Sequence, residues 1–395
     1  MTDFNFNLSQ QVYCLSSASN AVGSMRGTEA DLQTAMDTAL ASELPRITGD
    51  WQKSWGPRVY KRDPKLRGAA ENVWFAAVSE SQKTVVVAVA GTAPVSIQDW
   101  LDDMDVKKVV NFDSWIAQWS TGIKEPVIDE KPQNDGAAYI ARGTAMGVYN
   151  ILNNVDQATK THIWEYLNTL EAGYTVIFTG HSMGGAITPA LALGLSLAGM
   201  SGSDQTYAMP SAGPTSGNLL FVDKYKKAYP MTSVPGATAG YQVLNLDLYN
   251  TDDIVPQAWS LDPSQDRNLT NILGAIYTPA VVTSTWAQGL AGFLVSIAKG
   301  LSCNSEIKYV PIPGQKFTGP GLVTISTLSL LGTSILSNHT TDYWAYIGID
   351  KFVSCFEDKV CEHPRVDKPE ASLHGEGAEV VSGVMQSVQQ KLVQA

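Results

Sequence analysis

Apolar positions along the first 250 residues fall into two kinds of run. Continuous β-rich stretches, Val73-Trp74-Phe75-Ala76-Ala77-Val78 and Thr84-Val85-Val86-Val87-Ala88-Val89, are joined by polar Ser79 to Lys83. They predict neighbouring strands, the second buried on both faces. Ile163, Tyr166, Leu167 and Leu170 instead follow a helical period, which Ala172-Gly173 closes before Tyr174-Thr175-Val176-Ile177-Phe178 opens another buried strand. The chain then turns through Gly180 to Gly185. Ala186 to Met200, rich in Ala and Leu, predicts a helix deep in the fold, kinked at Pro189 unless that residue lies in the first turn. Further strands are expected at Thr206 to Met209 and Tyr241 to Leu248. Strands alternating with helices predict an α/β fold with a mainly parallel central sheet flanked by helices.

Later in the chain the pattern loses its charges. From Asn268 to Ala298 and from Phe317 to Asn338 no residue is charged. The first stretch is long enough to span a bilayer, but Pro279, Gln288 and many Thr and Ser favour a buried or interfacial helical insertion over a transmembrane anchor. A polar, Pro-containing tail starts at Glu362 and turns helix-like from Ala378 to Leu392. The expected organisation is one domain over residues 1–361, with insertions near 104–135 and 264–335, and a peripheral tail over 362–395. No internal repeat is visible.

Composition narrows the partners. With 44% hydrophobic and 16% charged residues, the 395-residue chain can bury a large core. A formal net charge of -11 argues against nucleic acid or an anionic membrane, because both need a basic face. Cys14, Cys303, Cys355 and Cys361 are too few for a disulfide framework. Cys355, Cys361 and His363 lack an obvious fourth ligand, so neither a metal nor another cofactor is expected. The start lacks a basic segment followed by an apolar one, which implies a cytoplasmic protein or the mature form of a secreted one. Asn7-Leu8-Ser9 and Asn268-Leu269-Thr270 match the glycosylation acceptor pattern, which arises often by chance.

Candidate chemistry centres on Gly180-His181-Ser182-Met183-Gly184. A serine hydroxyl is a poor nucleophile near neutrality and needs a base and an oxyanion site. Between a buried strand and a small-residue helix, a Gly-x-Ser-x-Gly turn supplies the geometry, because side chains two positions either side of the serine would collide with strand and helix. The alternative is a glycine-rich turn with an inert serine. The backbone N–H of Met183, next after Ser182, is the expected first oxyanion donor. An acid is expected after a later strand, where Asp252 and Asp253 follow Tyr241 to Leu248. Of the five histidines, His339, His363 and His374 lie downstream of that acid, in the Ser, Asp, His order of α/β-hydrolases.

These residues resemble the class 3 lipases, the family of the Rhizomucor and Thermomyces fungal enzymes within the α/β-hydrolase fold, over roughly residues 70 to 350. Thr179-Gly180-His181-Ser182-Met183-Gly184-Gly185-Ala186 carries the elbow, with Met183 where Leu is commoner. Ala90-Gly91-Thr92 with Asp99-Trp100-Leu101-Asp102-Asp103 is similar to the family's oxyanion loop, although Ala90 stands where Arg is usual. Tyr207-Ala208-Met209-Pro210, continuing to Gly217-Asn218, matches the strand after the elbow helix. The resemblance implies Ser182 as nucleophile and Asp253, which precedes a hydrophobic pair and Pro256, as acid. It implies His339, in Asn338-His339-Thr340-Thr341-Asp342-Tyr343-Trp344, as base, with one residue inserted into the family's His-x-x-Tyr pattern. It further implies Thr92 as second oxyanion donor and Asp103 as its support.

The implied function is a serine carboxylic-ester hydrolase, most simply a lipase acting on acylglycerols, with an ester or lipid substrate presented at an interface. Val109 to Trp119 is apolar enough to form part of a lid, and the stretch from Asn268 to line an acyl groove; core or dimer-contact helices are the alternative. Competing readings are another esterase on the same scaffold, for feruloyl esters, phospholipids, monoacylglycerols or polyesters, and a catalytically silent lipid-binding protein.

Overall fold

The computed structural model describes residues 4–91 and 105–353. Seven strands form one sheet in which spatial order follows chain order: β1 (Gln52–Tyr60), β2 (Asn72–Ser79), β3 (Thr84–Val89), β4 (Thr175–His181), β5 (Gln205–Ser211), β6 (Asp247–Asn250) and β7 (Gly314–Phe317). The first two pairings are antiparallel and the other four parallel, as an α/β-hydrolase sheet requires. The principal helices are α1 (Leu8–Ser19), α2 (Glu29–Glu43), α3 (Arg142–Asn153), α4 (Met183–Leu197), α5 (Leu219–Ala228), α6 (Thr285–Cys303), α7 (Leu328–His339) and α8 (Thr341–Ile347).

Alternation along the strands divides the core. In β3, Val85, Val87 and Val89 enter the core shared with α3 to α7, whereas Val86 and Ala88 enter the one shared with α1, α2 and α8. Each fully buried Val contributes about 1.5–3 kcal/mol, which is why this doubly covered strand can carry no polar face. The outer helices are fixed by their caps. Asn7 and Gln10 exchange side-chain-to-backbone bonds at the start of α1, as do Thr28 and Asp31 at α2.

Two local expectations change. The run Tyr241 to Leu248 is two strands, not one. Val243–Leu244 pairs with Thr232–Ser233, and Asn245 then takes a left-handed turn at φ 68° before β6 begins. Asn tolerates that conformation at small cost, and its Oδ1 accepts from Ala208 N at 2.9 Å, so the crossing is held from β5. The helix expected over 163 to 170 closes after Ile163–Leu167. Pro189 lies inside α4, which nonetheless runs unbroken from Met183 to Leu197. The glycosylation triplets are also engaged: Asn268 is buried, and Asn7 caps α1.

Beneath β6 lies a buried ion pair. Arg267 Nη1 sits 2.5 Å from Asp247 Oδ2, both side chains 1% exposed, and the guanidinium also donates to the Ile312 carbonyl. Burial pushes the Asp247 carboxyl up and Arg267 pulls it down. Asp247→Asn leaves Arg267 in the core with only the half-exposed Asp266 carboxylate, 3.6 Å from Nε, and is expected to cost about 3 kcal/mol in urea unfolding. Replacing both residues by apolar ones of similar volume should recover most of that loss.

Candidate active site

β4 ends at His181 and α4 begins at Met183, which leaves Ser182 alone in the turn at φ 59° and ψ -123°. A non-glycine residue held there costs about 1–3 kcal/mol and persists only where its surroundings dictate the conformation. Here they do. Ser182 N donates to Ser211 O at 3.0 Å, pinning the turn to the end of β5. A Cβ on Gly180 would lie 2.6 Å from the Gly184 carbonyl carbon, and one on Gly184 would lie 2.3 Å from Val89 O. The two glycines are therefore required by contact between the turn and β3. Gly91 packs from the other side, where a Cβ would stand 2.8 Å from His181 O and 3.1 Å from Ser182 Cβ. Asn20, at the end of α1, accepts from Gly91 N at 2.9 Å. The Met183 N–H is one of the unpaired donors of the first turn of α4, at the positive end of the helix dipole, where a developing anion is stabilised.

A histidine and a carboxylate meet beside this turn. His339 ends α7, and its Nδ1 lies 2.8 Å from Asp253 Oδ2. Asp253 follows β6 and is fully buried, with its lone pairs occupied: Oδ2 also accepts from Tyr343 OH at 2.9 Å and Oδ1 from Val255 N at 2.9 Å. Burial keeps the Tyr343 phenol protonated, so it remains a donor, and its oxygen accepts in turn from Asn250 N at 2.9 Å. With Nδ1–H committed to the carboxylate, the neutral ring has Nε2 free of a proton, which is the form that can act as a base. The neighbouring Asp252 is partly exposed, and its carbonyl accepts from Asn338 Nδ2 at 3.1 Å. Burial raises its carboxyl.

His181 connects the two halves. Its ring packs against His339 with centroids 4.7 Å apart and edge-on to Tyr343 at 5.1 Å, and its Nε2 reaches the His339 carbonyl at 2.7 Å. The structure thus gathers Ser182, Met183, His339 and Asp253 beyond the C-terminal ends of β4 and β6. Thr92 and Asp103 lie outside the described residues, as do His363, His374, Cys355 and Cys361. Cys14 is buried and Cys303 exposed. Tyr343, Asn250 and Ser211 belong to the cluster without having been singled out by sequence. Tyr343 alone left a trace, in the spacing that follows His339.

The two insertions behave differently. Val109 to Trp119 is not free to serve as a lid, because its apolar side chains are spent on the core. Phe112, Trp115 and Trp119 are nearly fully buried, and a Cβ on Gly194 of α4 would lie 2.5 Å from the Trp119 ring. Val109–Asn111 is also an edge of a small four-stranded sheet with Tyr139–Ala141, Gly217–Asn218 and Tyr309–Val310. The uncharged stretches come together instead, through a bridge between Val282 and Ile325. Between α6, α7 and the short helix Ile272–Ile276 they line a partly open apolar cavity of about 40 Å³. Ile254, next to Asp253, and Ile335, one turn before His339, share its wall with Ala291 and Leu294. Among the described residues, no helix is long and apolar enough to cross a membrane.

Residues 86–262 match the family model described as Lipase (class 3). The M37 lipase structure is similar at 21% identity and a TM-score of 0.64, covering 91% of this chain and 99% of that one, which supports the shared fold. The lipase of Rhizopus microsporus var. chinensis gives 16% identity and a TM-score of 0.38, over 64% of this chain and 67% of that one. The Lip2 lipase of Yarrowia lipolytica gives 18% and 0.39, over 64% and 73%. No curated protein matches the sequence.

Proposed function

We propose, from the match of residues 86–262 to the class 3 lipase family model, that this chain hydrolyses acylglycerol esters through an acyl-enzyme on Ser182. One observation carries the reading: a serine held at positive φ directly follows His181, whose ring packs on a second imidazole, His339, that is tied through Nδ1 to a buried carboxylate. Ser182 Oγ attacks the ester carbonyl carbon while His339 Nε2 takes its proton. Asp253 holds the ring and stabilises the imidazolium. The tetrahedral oxyanion is received by Met183 N–H and, from sequence resemblance, by Thr92 N–H with Asp103 behind it. Collapse expels the alcohol, which takes the proton from His339. Water, deprotonated by the same nitrogen, then releases the fatty acid and restores Ser182.

The cavity between α6 and α7 is the compartment proposed for the acyl chain. At about 40 Å³ it has room for about three waters, on the ~10–15 Å³ that each needs, so it holds only part of a long chain without rearrangement of its walls. The same stretches expose Trp286 (76%) and Val323 (63%), apolar side chains suited to a lipid surface. Fluorophosphonate labelling with peptide mapping, alongside p-nitrophenyl esters of increasing chain length below and above their solubility limits, tests the reading. Labelling at Ser182 and a rise in kcat/KM with chain length and with emulsions are expected. No gain with long chains or emulsions would remove the lipase assignment. Ala291→Phe, which fills the cavity, is expected to lower the long-to-short ratio of kcat/KM about 10-fold or more, while short-ester turnover stays near wild type.

A further inference from the structure

His181 is placed where the proposed hydrolysis gives it no task. Its Nε2 lies 2.7 Å from the His339 carbonyl oxygen and its Nδ1 3.0 Å from Ser211 Oγ. A carbonyl oxygen only accepts, so Nε2 carries the proton. In a neutral ring Nδ1 must then accept from the Ser211 hydroxyl. The ring is neutral for two reasons: desolvation and the neighbouring His339 hold its pKa well below the usual histidine range.

The geometry of that bond is unusual in what it joins. Asp253 and Tyr343 orient the His339 imidazole from the β6 side, and Asn338 is tied to Asp252 on that same side. Those contacts fix His339 relative to its acid and say nothing of its distance from Ser182. His181 is the residue before Ser182, and its N–H crosses 158 positions of sequence to the last residue of α7. Ser211 acts at both levels: its carbonyl pins Ser182 N, and its hydroxyl donates to the Nδ1 that the bond to the His339 carbonyl leaves unprotonated.

We propose that Ser211 and His181 form a positioning relay, in which the His181 Nε2–H ties the end of α7, and with it His339, to the elbow that carries Ser182, while the Ser211 hydroxyl satisfies Nδ1 and holds the buried ring in the orientation that makes this bond. The relay rests on the assignment of Ser182 as nucleophile and His339 as base. Loss of the hydroxyl leaves the buried Nδ1 lone pair without its partner, so the ring is no longer held in one orientation. The Nε2–H bond to the His339 carbonyl then weakens, and α7 moves away from the elbow.

Ser211→Ala is the direct test, with His181→Phe as a variant that keeps a ring and removes both nitrogens. On a short soluble ester, each is expected to lower kcat about 10- to 100-fold, the effect of a displacement near 1 Å, with KM within about twofold. Fluorophosphonate labelling should slow by the same factor, and Ser211→Thr should restore it. Histidine 15N spectra of the five histidines should show His181 with only Nε2 protonated in the wild type, and in Ser211→Ala its Nε2–H should exchange faster with water and lose its hydrogen-bonded shift. Wild-type kcat in either variant that folds, or lost activity with an unchanged His181 Nε2–H signal, would overturn the relay. Failure of the underlying assignment reads differently: Ser182→Ala stays active, or the wild type takes no label.

Discussion

Replacing Ser182 by Ala is expected to lower kcat by about 10⁴- to 10⁶-fold, the loss seen when an activated serine nucleophile is deleted. What remains comes from the oxyanion donors, since Met183 N–H keeps its place at the start of α4. The substitution retains Cβ, so the positive-φ turn stays as strained as before and the bond from Ser182 N to Ser211 O is preserved. Thermal unfolding should therefore move by no more than about 2 °C, against the backdrop of a near-total loss of turnover. Labelling by a fluorophosphonate should vanish together with activity. Turnover within tenfold of wild type would show that another residue is the nucleophile.

Asp253→Asn should give the second largest effect. The carboxylate accepts from three donors, His339 Nδ1–H, Tyr343 OH and Val255 N–H, and has no exposure to water. An amide has one oxygen for these donors. If its NH₂ turns to His339, the ring must present an unprotonated Nδ1, and its proton moves to Nε2. That nitrogen can no longer accept the Ser182 proton. The expected fall in kcat is about 10⁴-fold with KM nearly unchanged, because orientation and tautomer are lost while the substrate site is untouched. Steady-state kinetics on a soluble ester reads this directly. A loss smaller than tenfold would mean that Asp253 only packs the site and that the imidazole is oriented by other contacts.

Much of this arrangement is legible in one sequence because its constraints are local. The elbow needs small residues at Gly180 and Gly184 for steric reasons that hold wherever a strand gives way to a helix, and the predicted contacts with β3 are present. β3 reads as doubly buried because no polar residue interrupts it. The choice of Asp253 over Asp252 and of His339 over later histidines came from resemblance, and the structure places Asp253 and His339 in hydrogen-bond contact.

Other features depend on which surface covers which, and hydrophobicity carries no address. Val109 to Trp119 is as apolar as a lid, yet its aromatic rings pack under α4 because a glycine at 194 leaves room for Trp119. Tyr241 to Leu248 reads as one strand until Asn245 turns it. Tyr343 and Asn250, 93 positions apart, meet at the buried carboxylate through a bond that neither sequence neighbourhood announces.

The sequence by itself determined the alternation of strands and helices, the turn that carries Ser182 and the order in which an acid and a histidine follow it. These follow from side-chain period, backbone sterics and spacing, each acting over a few residues. Only the tertiary structure decided that α6 and α7 wall a cavity beside Asp253, and that His181 spans from the elbow to the last residue of α7. Such contacts join segments far apart in the chain, so their partners are selected by packing and by the need to satisfy each buried polar group, quantities that exist only once the chain has folded.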